Sequence, residues 1–136
     1  HHSRFRNHAW ARKLQDTPEL RINPRTAERH NIGRDDWAWV TTPNTPHRVL
    51  LKAWLTDEVP EGIVATGMGW WYPEMNGADH GALTFNIDGA IPYGPPWDPI
   101  SGSPEARNTA CKVSRADPSE VPRTGSVQSQ AAGGRG

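Results

Sequence analysis

The sequence predicts a small, mainly β domain: a barrel of short strands with one or two small helical insertions. Three observations lead there. Thirteen Gly and thirteen Pro make up nearly a fifth of the 136 residues, so the chain is cut into short elements and a helical bundle is disfavoured. Compact β-prone runs at Trp37–Val40, Arg48–Leu55, Ile63–Thr66 and Ala110–Val113 are separated by turn chemistry. Seven of the eleven aromatics are Trp, enough apolar surface for a small core even at a mean hydropathy of −0.76. No run approaches the ~20 apolar residues of a membrane-spanning helix.

The elements follow in chain order. Residues 1–20 are polar and rich in Arg and His, with Trp10 and Leu14 as anchors. Ile22-Asn23-Pro24 ends a strand and starts a helix, because Asn caps well and Pro suits the first helical position. That helix should run from Arg25 to about Asn31 and stop at Gly33. Trp37–Val40 and Arg48–Leu55, joined by Thr42-Pro43-Asn44-Thr45-Pro46, read as a hairpin. Pro60-Glu61-Gly62 turns the chain into Ile63–Thr66, which leads to Gly67-Met68-Gly69-Trp70-Trp71-Tyr72-Pro73. Ala82–Ile87 is β-prone enough for a fourth short strand or a turn into one. Four prolines make residues 92–99 irregular. Ala110–Val113 is the last expected strand. Beyond it Ser, Gly, Pro, Gln and Ala dominate, so residues 1–113 are expected to form the domain and 114–136 a disordered tail.

Net charge is zero, with fifteen cations against fifteen carboxylates, so nothing in the bulk charge calls for nucleic acid or a membrane surface. Twelve of the cations are Arg; its planar fork suits phosphate and stacked rings, although biased base composition explains the excess equally well. One cysteine, Cys111, rules out an internal disulfide framework and an iron–sulfur cluster held within the chain. The six histidines are too dispersed for a metal-ligand spacing, and no His-Glu-x-x-His, Walker loop, Gly-x-Ser-x-Gly or Rossmann fingerprint is present. The chain begins at His1, which leads to the expectation that it is cut from a longer protein.

Four stretches carry chemistry above this background. His2-Ser3-Arg4-Phe5-Arg6-Asn7 is a dense set of donors beside an aromatic, able to hold a phosphate or to be a plain cationic terminus. Asn23 at a helix start is an N-cap or a group facing an anion. In Gly69-Trp70-Trp71-Tyr72-Pro73 adjacent rings cannot both enter one core, so one meets a ligand, a partner or a neighbouring domain. Asp98-Pro99-Ile100-Ser101 through Arg107 is a Pro-fixed polar loop ending in a cation.

Taken in order, these pieces resemble a known family. His2-Ser3, Ile22-Asn23-Pro24-Arg25-Thr26-Ala27, Ile32-Gly33-Arg34-Asp35-Asp36-Trp37-Ala38-Trp39-Val40, Val59-Pro60-Glu61-Gly62-Ile63-Val64, the Gly-Trp-Trp segment, Phe85-Asn86, and Asp98 through Arg107 to Val113 are together similar to the C-terminal molybdopterin-dinucleotide-binding domain of the dimethyl-sulfoxide-reductase family. The Gly-Trp-Trp variant looks most like the branch with thiosulfate/polysulfide reductases, formate dehydrogenases and acetylene hydratases. The resemblance implies a double-psi β-barrel, like the fourth domain of formate dehydrogenase and dimethyl-sulfoxide reductase. It implies a molybdopterin guanine dinucleotide cofactor (bis-MGD, with Mo or W) contacted by His2, Ser3, Arg4, Asn23, Asn86 and Arg107. The metal ligand and the Fe–S cluster would lie in other domains, so no catalytic or metal-ligating residue is assigned to this chain. Expected partners are the remaining domains of the same oxidoreductase and electron-transfer subunits, with no nucleic acid and no direct membrane insertion. About a dozen Pro-rich residues between Asn86 and Asp98, and Arg107 where the family often has Lys, depart from the pattern.

Two other readings stay open on the residues alone. One is a free-standing small-ligand or carbohydrate-binding β-module with Trp70, Trp71 and Trp97 as a stacking platform. The other is a small hydrolase using carboxylates among Glu58, Glu61, Glu74 and Asp79.

Overall fold

A computed structural model describes residues 4–43, 45–91, 95, 97–103 and 108–122. The chain is mainly β with small helices, in the order α1 (Ala9–Arg12), β1 (Glu19–Ile22), α2 (Pro24–Arg29), β2 (Trp37–Thr41), β3 (Arg48–Leu55), β4 (Val64–Ala65), α3 (Ala82–Phe85), a 3-10 turn (Ile87–Ala90), β5 (Lys112–Arg115) and a second 3-10 turn (Pro118–Glu120). The strands form one sheet in the order β4-β1-β3-β2-β5. β2 and β3 are the expected hairpin, antiparallel from Trp37 opposite Lys52 to Thr41 opposite Arg48. β1 lies parallel to β3, Leu20 opposite Ala53 and Ile22 opposite Leu55.

The period of two along the strands divides the side chains between two clusters. Leu20, Ile22, Ala38, Val40, Val49, Leu51 and Ala53 form an aliphatic cluster sealed by Ala27, Ile32 and Ala90. Each buried Leu or Ile contributes roughly 1.5–3 kcal/mol relative to exposure. A second, aromatic cluster joins Trp39 and Leu50 to Trp70, Tyr72, Phe85 and Ala116.

Helix α2 starts as its sequence dictates. The Asn23 side-chain oxygen Oδ1 accepts from the Arg25 N–H at 3.0 Å, with Pro24 in the first turn. It stops at Asn31 instead of Gly33: Asn31 takes a left-handed φ of 55°, and the Ile32 N–H reaches back to the Ala27 carbonyl at 2.9 Å, an Asn version of the usual Gly stop.

Three expectations are corrected. The strand from Ile63 to Thr66 shrinks to Val64–Ala65. Ala82–Ile87 is not a strand: Gly81 turns the chain with a φ of 77°, and the Asp79 carboxylate caps the Leu83 N–H at 3.1 Å. Helix α3 follows and drives Phe85 into the aromatic cluster. The tail boundary after Val113 is set too early, because β5 runs to Arg115, whose guanidinium meets Asp36 at 2.9 Å. Glu120 then accepts from the Trp39 indole N–H at 3.0 Å, so ordered contacts continue beyond the strand. Residues 123–136 lie outside the described residues.

Candidate functional site

Three stretches distant in sequence meet at Gly69–Tyr72. Trp70 is buried and Trp71 half-buried, which is how adjacent rings in an extended segment divide between inside and outside. The Arg6 guanidinium lies 3.5 Å from the Trp70 ring centroid. On the other side the Asn86 carbonyl oxygen accepts from the Gly69 N–H at 2.7 Å and from the Asp88 N–H at 3.3 Å, leaving its amide N–H2 without a hydrogen-bond partner among the described residues. Phe85 meets Tyr72 edge-on at 4.9 Å. Arg4, exposed, stands two residues from Arg6.

Asn23 is not part of this gathering. Its amide N–H2 donates to the Val59 carbonyl at 3.0 Å while its oxygen caps α2, so both ends are committed to the chain itself. His2, Ser3 and Arg107 lie outside the described residues. In the Asp98 loop the carboxylate accepts from the Ser101 N–H at 2.7 Å and the Ile100 N–H at 3.1 Å. Those bonds, Ser101's foremost, hold its carboxyl below the usual range and make the loop a locked turn.

The polar groups around Trp70 are incompletely paired. Arg6 gives one N–H to the Gln15 carbonyl at 3.2 Å; its Nε and Nη2 have no partner among the described residues, nor do Arg12 Nε, Trp70 Nε1, the Tyr72 hydroxyl and Glu74 Oε2. Arg12 forms an ion pair with Glu74. Burial lowers the Arg6 pKa and pushes the Tyr72 hydroxyl up to about 12, outweighing the opposing pull of the Arg6 charge. Buried donors without acceptors cost about 1–3 kcal/mol each. A cluster with more unpaired donors than acceptors is matched to an oxygen-rich or heterocyclic ligand edge.

A pocket of about 360 Å³ adjoins this cluster, with Gln15, Glu19, Arg21, Met68 and Trp70 among its walls. Glu19 and Arg21 alternate on β1 with the buried Leu20 and Ile22, so the strand that builds the aliphatic core also supplies the polar wall. Burial raises the Glu19 pKa, and Arg21 lies 5.4 Å from the Trp54 ring. The inward placement of Arg6 and Arg12 and the polar wall of β1 were absent from the sequence-based site; strict alternation over Glu19–Ile22 is the signal that could have found the latter.

The stacking platform is not formed as expected, because Trp70 is buried beneath Arg6. The carboxylates of the hydrolase reading are separately engaged: Glu58 with Arg21 at 4.0 Å, Glu61 with Arg25 at 2.9 Å and with Arg29, Glu74 with Arg12, and Asp79 on the start of α3.

Comparison with known proteins gives the family of the chain. A family model described as "Molydopterin dinucleotide binding domain" matches residues 1–110. A dopamine dehydroxylase of Eggerthella lenta is 32% identical over 121 residues, covering 89% of this chain and 12% of that protein. A putative dimethyl sulfoxide reductase catalytic subunit of Halobacterium salinarum is 36% identical over 70 residues, 52% of this chain and 8% of that one. An acetylene hydratase of Syntrophotalea acetylenica is 29% identical over 102 residues, 71% of this chain and 14% of that one. Among solved structures, acetylene hydratase from Pelobacter acetylenicus shares the fold with a TM-score of 0.78 at 24% identity, over 85% of this chain and 16% of that chain. The chain thus spans about an eighth of the length of the first of these relatives.

Proposed function

The chain belongs to the molydopterin dinucleotide-binding domain family, and from that premise we propose that it is the cofactor-binding domain of a larger molybdenum or tungsten oxidoreductase, holding part of a bis-MGD cofactor. The observation that carries the proposal is the cluster of unpaired, buried N–H groups on Arg6 and Trp70 beside a mixed pocket. Guanidinium N–H groups suit phosphate oxygens, and a carboxamide edge suits the donor–acceptor pattern of a pterin or guanine. Arg4 and Arg6 would hold phosphate, and Asn86 a heterocycle edge through its free N–H2, with His2, Ser3 and Arg107 added from the family resemblance. Bound there, the cofactor supplies the redox chemistry. The chain's own residues bind and orient it, and the apolar walls of Trp70, Tyr72 and Phe85 exclude water. The metal ligand, the Fe–S cluster and any electron-transfer subunit belong in this proposal to other domains or chains. The finer fold reading is a double-psi β-barrel. The parallel β1–β3 pair within an otherwise antiparallel sheet supports it.

The test is to isolate the full-length protein and measure Mo, W and acid-released guanine nucleotide together. The expected result is one metal and guanine nucleotide co-purifying with the polypeptide; correctly folded protein with neither overturns the proposal. Asn86→Asp keeps the oxygen that holds Gly69 while replacing the free N–H2. It should leave the fold intact and lower cofactor retention by about tenfold.

A further inference from the structure

Residues 4–15 are arranged inside out. A surface helix ordinarily turns its apolar residues to the core and its charges to water. Here the Arg6 residue is 5% exposed and the Arg12 side chain 16%, while Phe5, Trp10 and Leu14 are 50%, 62% and 82% exposed. Helix α1 has no buried residue. Its seat on the domain is polar: Arg6 on the Trp70 ring and Arg12 on Glu74. Those contacts fix which way the segment faces. Outward, the rings of Phe5, His8 and Trp10 form one patch, with centroids 5.9 to 6.4 Å apart. A contiguous exposed patch of large rings marks a contact surface, and clustered aromatics supply the anchors of such surfaces.

We propose that this outward face of Phe5, Trp10 and Leu14 is the surface on which the domain docks against another domain of the same polypeptide; the inference rests on the functional reading above. The occupant follows from length and composition. The chain accounts for 12% of its dopamine dehydroxylase relative, so in an enzyme of that size most of the polypeptide lies outside this domain. The segment 123–136 is made of Gly, Ala, Ser, Gln and Arg with a few others, and Val127 is its one sizeable apolar residue, too little to cover two large rings and a leucine. Lys13, exposed beside the patch, calls for a carboxylate at the rim of an apolar centre on the facing domain.

Hydroxyl-radical footprinting of the full-length wild-type enzyme reads this without a variant. Rates at Trp10 and Leu14 are compared with the same residues in the unfolded enzyme, with Ile100, 95% exposed, as reference. Docking predicts protection of more than about tenfold at Trp10 and Leu14, with Ile100 nearly unprotected. Modification of the patch at the relative rate of Ile100 overturns the proposal. So does protection that vanishes on dilution, which assigns the face to a second copy, or protection lost when the chain is truncated after residue 122, which assigns it to the tail. Metal and guanine nucleotide are measured on the same sample. Loaded enzyme with an unprotected patch sinks the docking alone, whereas cofactor-free enzyme with a protected patch sinks the functional reading and upholds the docking.

Discussion

The aliphatic cluster and the aromatic cluster are built from the same strands yet are finished differently. In the aliphatic cluster Leu20, Ile22, Val49 and Leu51 are wholly buried, and α2 and the Ile87–Ala90 turn seal it. No orphaned buried side-chain N or O among the described residues belongs to it. The aromatic cluster packs Trp39, Leu50, Trp70, Tyr72 and Phe85, and two of its rings, Trp70 and Tyr72, carry unpaired polar atoms beside those of Arg6. A dry aliphatic core gives stability and nothing to recognise. A ring-lined core with unpaired N–H groups sacrifices stability in the empty state and offers a ligand its edges.

The contrast breaks most easily at Leu51. Leu51→Ala should destabilise the domain by about 3–4 kcal/mol, since a sealed face cannot collapse onto the cavity; a urea midpoint close to wild type would show that the aliphatic face is not the sealed one. The aromatic side is probed next by alkali. The Tyr72 hydroxyl is pushed up to about 12 in the folded chain, against an ordinary value of about 10. Its neutral form therefore stabilises the fold fully below pH 10, and that contribution is lost as pH rises through 12. Alkaline unfolding should lower stability by about 2 kcal/mol by pH 12. Tyr72→Phe should flatten that slope and be nearly neutral at pH 7, because it removes an orphaned hydroxyl. An unchanged slope in Tyr72→Phe would place the alkaline sensitivity elsewhere. The smallest effect is at Asn23, the would-be ligand that the structure assigns to closing the aliphatic side. Asn23→Ala should cost about 1.5 kcal/mol through the lost cap and the lost bond to Val59, with cofactor content per folded molecule unchanged. A fall in that content with stability intact would return Asn23 to the binding site.

What was legible from sequence were the features written in neighbouring residues. The span of β3 is bounded by turn residues on both sides, and Asn23-Pro24 announces the start of α2 by chemistry that is local to those two residues. Helix α3 was missed because Thr84 and Phe85 favour strands; the helix is set by the left-handed Gly81, the Asp79 cap and the place that tertiary packing gives Phe85. The donor density of residues 2–7 was visible as composition. That Arg6 lies over Trp70 could not be, because sixty-four positions separate them and nothing local tells an inward arginine from a solvated one. The Gly-Trp-Trp segment was the better guide, since adjacent rings must point apart in an extended chain whatever the fold.

Every strand that pairs with β1 is made after it. Its parallel partner β3 begins at Arg48 and its antiparallel partner β4 at Val64. On a growing chain Glu19–Ile22 therefore waits, its apolar residues unpaired, until about thirty further residues, through Leu55, have emerged, whereas the β2–β3 hairpin joins strands that are neighbours in sequence. Such non-local pairing slows folding and leaves an open strand edge in the interim. The interval between synthesis of β1 and of β3 is thus the period in which the apolar residues of β1 are most exposed to misassociation.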